Sequence, residues 1–311
     1  MLPVGEIRNV SKTISGRKIL SRVSFHILPG ESLGLIGPKN SGKSALFEIL
    51  ACVSQPDSGD LYLLGLKAND HRAKIRSSVG VLPEILDFEL GLSVYDNLFL
   101  YGFYQRLEKK TIRTSIRELL RVLEIEEYED TYVSELPNTI LKRVGLARAL
   151  LNDPKILFVD QPTDGFNEVQ RNKFWTYLRD VKNLKKFSMV LISDLAEEIE
   201  ALCQRIIILN RGQIVTESPI KDLIGERKKE KVLEFQVAPR DIDYFVNKIQ
   251  NVFNYRVVNN KIFIFLNKDQ SEAQAMNAIA GHKTIVRGSS LDDVFLKLTG
   301  QPLIAGDDFR V

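Results

Sequence analysis

The segment Gly37-Pro38-Lys39-Asn40-Ser41-Gly42-Lys43-Ser44 constrains this chain more than any other stretch of it. It obeys the pattern G-x-x-x-x-G-K-[S/T], follows the apolar run "SLGLI" and precedes the helix-forming "SALFEILA". In that setting the glycines let backbone N–H groups approach phosphate oxygens, and the N-terminus of the following helix adds a partial positive charge. Lys43 is placed to reach the terminal phosphates of a nucleotide, and Ser44 to offer its hydroxyl to Mg²⁺. The competing reading is an accidental glycine-rich turn; a strand before it and a helix after it argue against that reading. A loop of this kind commits the chain to alternating strands and helices, hence to an α/β fold.

A second segment, "KILFVDQPTDG", is an apolar strand closed by a carboxylate. Asp160 stands where a metal-holding group belongs, at the C-terminal end of a buried strand. The next residue, where a hydrolase needs a base, is the amide Gln161. "FSMVLIS" and "RIIILNRGQIV" supply further Ile-, Leu- and Val-rich strands, separated by segments of helical period, and point to a mostly parallel sheet. Between about residues 85 and 150 the strand pattern lapses. There Ile112, Ile116, Leu119, Leu120 and Leu123 recur at helical spacing, as in a helical insert.

The charge run "GERKKEKV" divides the chain, giving a first domain over 1–225 and a second over 230–311. In the second, "VLEFQV", "NYRVV", "KIFIFL" and "KTIVRG" read as strands and the intervening segments as helices, a small βαββαβ unit. In "SSLDDVFLKLTG" Ser290 and Asp293 form a capping box. Leu291, Val294, Phe295 and Leu298 form an apolar face, and Gly300 sits at the helix stop.

The 43 basic and 40 acidic residues leave a net charge of +3, too small to argue for a nucleic-acid partner. Cys52 and Cys203 have no Cys or His neighbour at ligand spacing and read as reduced core thiols. His26, His71 and His282 sit in no metal or nucleophile constellation and read as structural. No basic-then-apolar leader and no membrane-length apolar run is present, so the expectation is a chain without a transmembrane segment.

These segments together resemble the ATP-binding subunits of ABC transporters over about residues 5–220. Beyond the phosphate loop the resemblance rests on the order and spacing of "EDTYVSELPNTILKRVGLARAL", "LARALLNDPKILFVDQPTDG", "SDLAEEIE" and "RIIILNRGQIVTE". The ending "SSLDDVFLKLTG" is similar to the drug- and polysaccharide-exporter branch, whose ATPase subunits carry a small extra domain. The resemblance implies an α/β P-loop NTPase (RecA-like) parallel core with an antiparallel β subdomain and a helical insert, plus a small α+β C-terminal domain. It implies Mg-ATP as ligand, a homodimer or heterodimer with another ATP-binding subunit, and an integral-membrane permease subunit as partner at the cytoplasmic face of the membrane.

Several family positions are altered. Gln161 replaces the family's catalytic glutamate and can orient a water without taking its proton, a loss of about 10² to 10⁴ in rate. Asp194 replaces the histidine that contacts the γ-phosphate, turning a donor into a like charge. Glu84 replaces a metal-sensing glutamine, so the expected metal set is Ser44, Glu84 and Asp160. The signature loop, which reaches the partner's nucleotide, reads Leu136-Pro137-Asn138-Thr139-Ile140; Pro137 lacks a hydroxyl and an N–H, and Thr139 offers a displaced hydroxyl. Ile14 replaces the aromatic that stacks on adenine, or is a plain sheet-core residue, and Asn167 replaces an aspartate of the dimer-contact loop. Because losses of both kinds fall on one chain, neither a homodimer nor a heterodimer with an intact partner would hold a fully normal site. ATP binding with slow or absent hydrolysis is therefore expected. The "FELGLSVYDNLFLYGFY" segment packs six aromatics, in which Leu90, Leu98 and Tyr101 are assigned to core and the surplus to a permease contact. Two alternatives stand beside this: a non-hydrolysing ATP-binding scaffold or regulatory module, and another P-loop enzyme such as a kinase or GTPase. The nearest string to a guanine motif, Asn267-Lys268-Asp269-Gln270, lacks its final aspartate.

Overall fold

The computed structural model describes residues 2–225, 230–267 and 270–303. Most of the charge run at 226–229 and the Lys268-Asp269 pair of the guanine-like string lie outside the described residues.

Two sheets are built by residues 5–219. An antiparallel sheet is formed by β1 (Gly5–Ile14), β2 (Arg17–Ile27), β4 (Ser58–Leu63) and β5 (Leu66–Lys67), in the order β2-β1-β4-β5. Its apolar face shares a core with α1 (Lys43–Leu50), through Ile7, Val10, Leu20, Leu46 and Leu50. The short α2 (Ala68–Arg76) follows β5 and adds Ala68 and Ile75 to the same core.

The central sheet has six strands. β3 (Ser32–Ile36), β7 (Ile156–Asp160) and β8 (Ser188–Ile192) are buried along their whole length, as their mostly apolar sequences, without hydrophobic–polar alternation, suit strands covered on both faces. β6 (Val79–Leu82) and β9 (Arg205–Asn210) complete the parallel part, and β10 (Gln213–Pro219) closes it as an antiparallel edge. The strand order is β10-β9-β3-β8-β7-β6.

On the other face of the parallel sheet lie α3 (Val94–Tyr104), α4 (Lys109–Val122), α5 (Asn138–Leu150) and α6 (Glu168–Lys185). The predicted stripe of α4 is the buried one: Ile112, Ile116, Leu119 and Leu120 all pack inward. Leu98 is buried as expected. Leu90 is not: it is 63% exposed, in a loop that precedes α3. Ile14 is 45% exposed at the β1–β2 turn, which removes the reading of a sheet-core residue.

Beyond residue 230, β11 (Lys231–Gln236), α9 (Ile242–Ile249), β12 (Asn254–Val258), β13 (Lys261–Leu266), α10 (Glu272–Ala278) and β14 (Thr284–Gly288) form a four-stranded antiparallel sheet with two helices. Its order is β12-β13-β11-β14, the arrangement of a split βαβ unit. The chain ends its described part with α11 (Leu291–Thr299), whose Ser290/Asp293 capping box and left-handed Gly300 cap are both present. Leu291, Val294 and Phe295 enter the main core beside Ile199 and Leu202 of α7 (Ala196–Leu202) and Ile220 and Leu223 of α8 (Ile220–Gly225). Leu296 packs against Val232, Phe263 and Phe265 of the C-terminal sheet. The apolar face is thus rotated from the expected one, since Leu298 is 39% exposed and Leu296 buried. Two apolar surfaces meeting one helix, not one, explain the shift.

Candidate nucleotide-binding site

Strand order assembles the site. With β3, β8, β7 and β6 side by side and parallel, their C-terminal ends bring four separate segments to one edge: the loop after Ile36, Asp194 after β8, Asp160 at the end of β7, and Glu84 after β6. The register sets Asp160 directly opposite Ile192.

The loop of Gly37 to Ser44 is built to approach closely. A Cβ at Gly37 would lie 2.2 Å from the Leu209 carbonyl oxygen, and one at Gly42 would lie 2.8 Å from that of Ile19. Gly42 also has φ +103°, a left-handed conformation that favours glycine. Asn40 takes φ 64°, and Lys39 and Asn40 are exposed while Gly37, Pro38, Ser41 and Gly42 are buried. Ser44 faces outward in the first turn of α1, where the early N–H groups of the helix lack intrahelical acceptors. Lys43 folds back over this loop. Its Nζ donates to the carbonyls of Gly37 (2.5 Å) and Pro38 (3.0 Å), lies 3.5 Å from Ser41 Oγ, and pairs with Asp194 Oδ1 at 3.1 Å.

Asp160 is 7% exposed and its carboxyl is pushed up to about 7, first by burial and then by the charges of Glu84 and Asp194, against the opposing pull of Lys43 and Lys142. Carboxylates outnumber cations here, an excess that a divalent cation would relieve. Among the described residues no group of three or more His, Cys, Asp or Glu is arranged to hold a metal by itself. A cation here would draw on Asp160, Glu84, the Ser44 hydroxyl and phosphate oxygens, a set of hard oxygen donors that suits Mg²⁺.

Gln161 takes φ 45°, an uncommon value for a side-chain-bearing residue and costing about 1–3 kcal/mol. Its N–H donates to the Ile192 carbonyl at 2.9 Å, tying β7 to β8 beyond the last paired residues. Its side-chain Oε1 accepts from the Asp194 N–H at 3.2 Å. The Gln161 side-chain amide is therefore joined to the backbone of Asp194, and the Asp194 carboxylate in turn to Lys43.

Sequence reading missed Lys142. It is 4% exposed and lies on α5, its Nζ donating to the Glu84 carbonyl (2.7 Å) and lying 3.5 Å from that of Gln161. Burial pulls its ammonium below the ordinary value, opposed by Glu84, Asp164, Asp160 and Glu198. The only trace of this in the sequence is a lysine on the otherwise apolar inner face of "LKRVGLARAL". Arg148, on the same helix, donates to the Asp87 carbonyl and lies 4.3 Å from the Phe88 ring centroid. Together the two cations hold the loop that carries Glu84 against α5. Glu198 was missed as well. It is buried, accepts from Thr163 Oγ1 (2.7 Å) and Trp175 Nε1 (2.8 Å), and is raised by burial, so it ties the segment after Gln161 to α6 and α7.

The remaining predicted residues lie at the N-terminal ends of α5 and α6. Pro137 caps α5 without a side-chain hydrogen bond, with Pro137 and Asn138 exposed. Thr139 lines a small cleft together with Arg143, Phe166 and Tyr177. Asn167 has a structural role, capping α6 by accepting from the Gln170 N–H at 2.9 Å, with Gln170 Oε1 accepting from the Asn167 N–H at 3.0 Å.

Comparison with known proteins bears on the same surfaces. Residues 20–164 match the ABC transporter family model. The chain is 30% identical over 300 residues to a Nod factor export ATP-binding protein I of Rhizobium sp. (strain N33), spanning 96% of this chain and 97% of that protein. A second such protein, from Rhizobium etli, is 29% identical over 299 residues, spanning 96% and 94%. Among solved structures, a dimeric bacterial ABC transporter cassette superposes with TM-score 0.64 at 25% identity, over 70% of this chain and 98% of that one. The ATP-binding subunit of another ABC transporter gives TM-score 0.65 at 20% identity, over 71% and 91%. A phosphate loop at the strand ends, a carboxylate-closed β7 and full-length similarity to these proteins place the chain in one family: it belongs to the ATP-binding subunits of ABC transporters.

Proposed function

We propose that this subunit binds Mg-ATP, closes as a dimer and drives an export permease while hydrolysing ATP slowly or not at all. The observation that carries the reading is the contrast at one sheet edge. The phosphate loop keeps every glycine and Lys43, whereas an amide at 161 hydrogen-bonded to the backbone of Asp194 stands where water activation would occur. Asp160, Glu84 and Ser44 would hold the Mg²⁺, which when bound neutralises charge on the β- and γ-phosphates. Lys43 would then leave its loop carbonyls for the phosphates. Gln161 can orient a water but offers no lone pair basic enough to deprotonate it.

Export as the direction is supported by the similarity to Nod factor export proteins. The permease contact is assigned to the open cleft of about 520 Å³ lined by Glu84, Ile85, Phe88, Leu90 and Leu141, where Ile85 is 84% exposed. Exposed Phe103 and Tyr104 extend the apolar surface on α3. No helix among the described residues is long and apolar enough to cross a membrane, which suits a peripheral subunit at the cytoplasmic face. Either a second copy or a different ATP-binding chain fits as the dimer partner.

The test is paired measurement of binding and turnover on the purified chain with Mg²⁺. Saturable ATP binding with turnover below about 0.01 s⁻¹ is expected; a rate in the ordinary enzyme range of about 1–10³ s⁻¹ overturns the slow-hydrolysis reading.

A further inference from the structure

The Lys43–Asp194 pair has a consequence for which nucleotide the site prefers. Lys43 Nζ is surrounded by two backbone carbonyls, Ser41 Oγ and Asp194 Oδ1, so its three protons are already committed. Asp194 Oδ1 is itself buried and has no hydrogen-bond partner; the lysine ammonium at 3.1 Å is its compensation. When Lys43 turns to a nucleotide, this carboxylate is left with its negative charge facing whatever fills the space beside it.

What fills that space differs between nucleotides. The β-phosphate lies in the loop itself, cradled by backbone N–H groups that are indifferent to Asp194. A terminal γ-phosphate would extend from there toward Asp160 and Glu84, which would hold the divalent cation that offsets its charge. That is the side on which Asp194 stands, its backbone N–H held by Gln161 Oε1. A triphosphate therefore meets a like charge, with one carboxylate oxygen buried, that a diphosphate largely avoids. Resting on the nucleotide-binding reading above, we propose that Asp194 is a specificity-determining residue that shifts the site from ATP toward ADP, acting as an internal stand-in for the terminal phosphate on Lys43.

The experiment is equilibrium binding of Mg-ADP and of the Mg complex of β,γ-imido-ATP to the full chain, by titration calorimetry, for the native protein, Asp194→Asn and Asp194→Glu. The native chain should bind ADP at least as tightly as the triphosphate. Asp194→Asn, which keeps the shape and removes the charge, should tighten the triphosphate by about tenfold and ADP by less than about threefold. Asp194→Glu should retain the native ratio, which separates charge from disturbance of the loop. Equal shifts for both nucleotides, or no shift, overturn the proposal and leave nucleotide binding standing. Failure of the native chain to bind either nucleotide overturns both.

Discussion

Replacing Gln161 by glutamate tests how much of the catalytic deficit lies at one atom. The substitution returns a base to a position that donates its N–H to Ile192 and accepts from the Asp194 N–H, so the new carboxylate would be held where the amide is now. A positioned general base is worth about 10² to 10⁴ in rate. The surroundings reduce that return. Asp160, already pushed up to about 7, Glu84 and Asp194 are carboxylates of the same cluster, against Lys43 and Lys142. One further like charge at ~6 Å and an effective dielectric of ~20 costs on the order of 3 kcal/mol, or ~2 pK units, before metal and salt screen it. The introduced carboxyl would therefore ionise above the ordinary glutamate range and below neutrality, and turnover should rise by about 10². Adding Asp194→His removes one of the repelling charges, and should raise turnover again by about tenfold and move the acid limb of its pH profile downward. Phosphate release by the purified chain with saturating Mg-ATP reads both. If ATP still binds and neither variant exceeds the native rate by about threefold, the defect is not at this edge, and Pro137 with its missing N–H becomes the site to repair.

Three other outcomes follow from the packing. Gly42→Ala would set a methyl 2.8 Å from the Ile19 carbonyl oxygen at φ +103°, and should weaken ATP binding by at least about tenfold in equilibrium dialysis while the far-ultraviolet circular dichroism stays native. Phe295→Ala opens a cavity where α11 meets α7 and α8, and should cost about 3–5 kcal/mol by denaturant titration. Asp292 is raised to about 7 by burial, with Asp293, Glu200 and Glu197 adding to the shift and Arg287 opposing it. A folded pKa above the unfolded value gives stability that is present below about pH 4 and lost as pH rises through 7. Asp292→Asn should therefore raise the melting temperature at pH 8 and leave it nearly unchanged at pH 4; a gain of equal size at both refutes the assignment.

Local signals carried a large share of the fold and of the site. The phosphate loop, the carboxylate closing β7, the inward stripe of α4 and the caps around Ser290 and Gly300 depend on neighbours a few residues away, and spacing alone reports them. Leu90, Leu298 and Ile14 were harder to place, because an apolar side chain shows that it can be buried but not whether another surface comes to cover it. α11 meets two surfaces at once, and no periodicity within it says so.

By itself the sequence determined that this chain carries a P-loop of unaltered pattern, and the family resemblance marks Gln161, Asp194, Glu84 and Pro137 as departures around it. Only the tertiary structure decided what those replacements do to one another. Asp194 reads alone as a charge that repels phosphate; in the fold it is the partner of Lys43, tethered by Gln161, with Lys142 of α5 bound to the backbone that carries Glu84. These groups are remote in sequence and adjacent only because β3, β8, β7 and β6 align in parallel and end at one edge, where the burial of Asp160, Lys43 and Lys142 makes their charges felt by their neighbours.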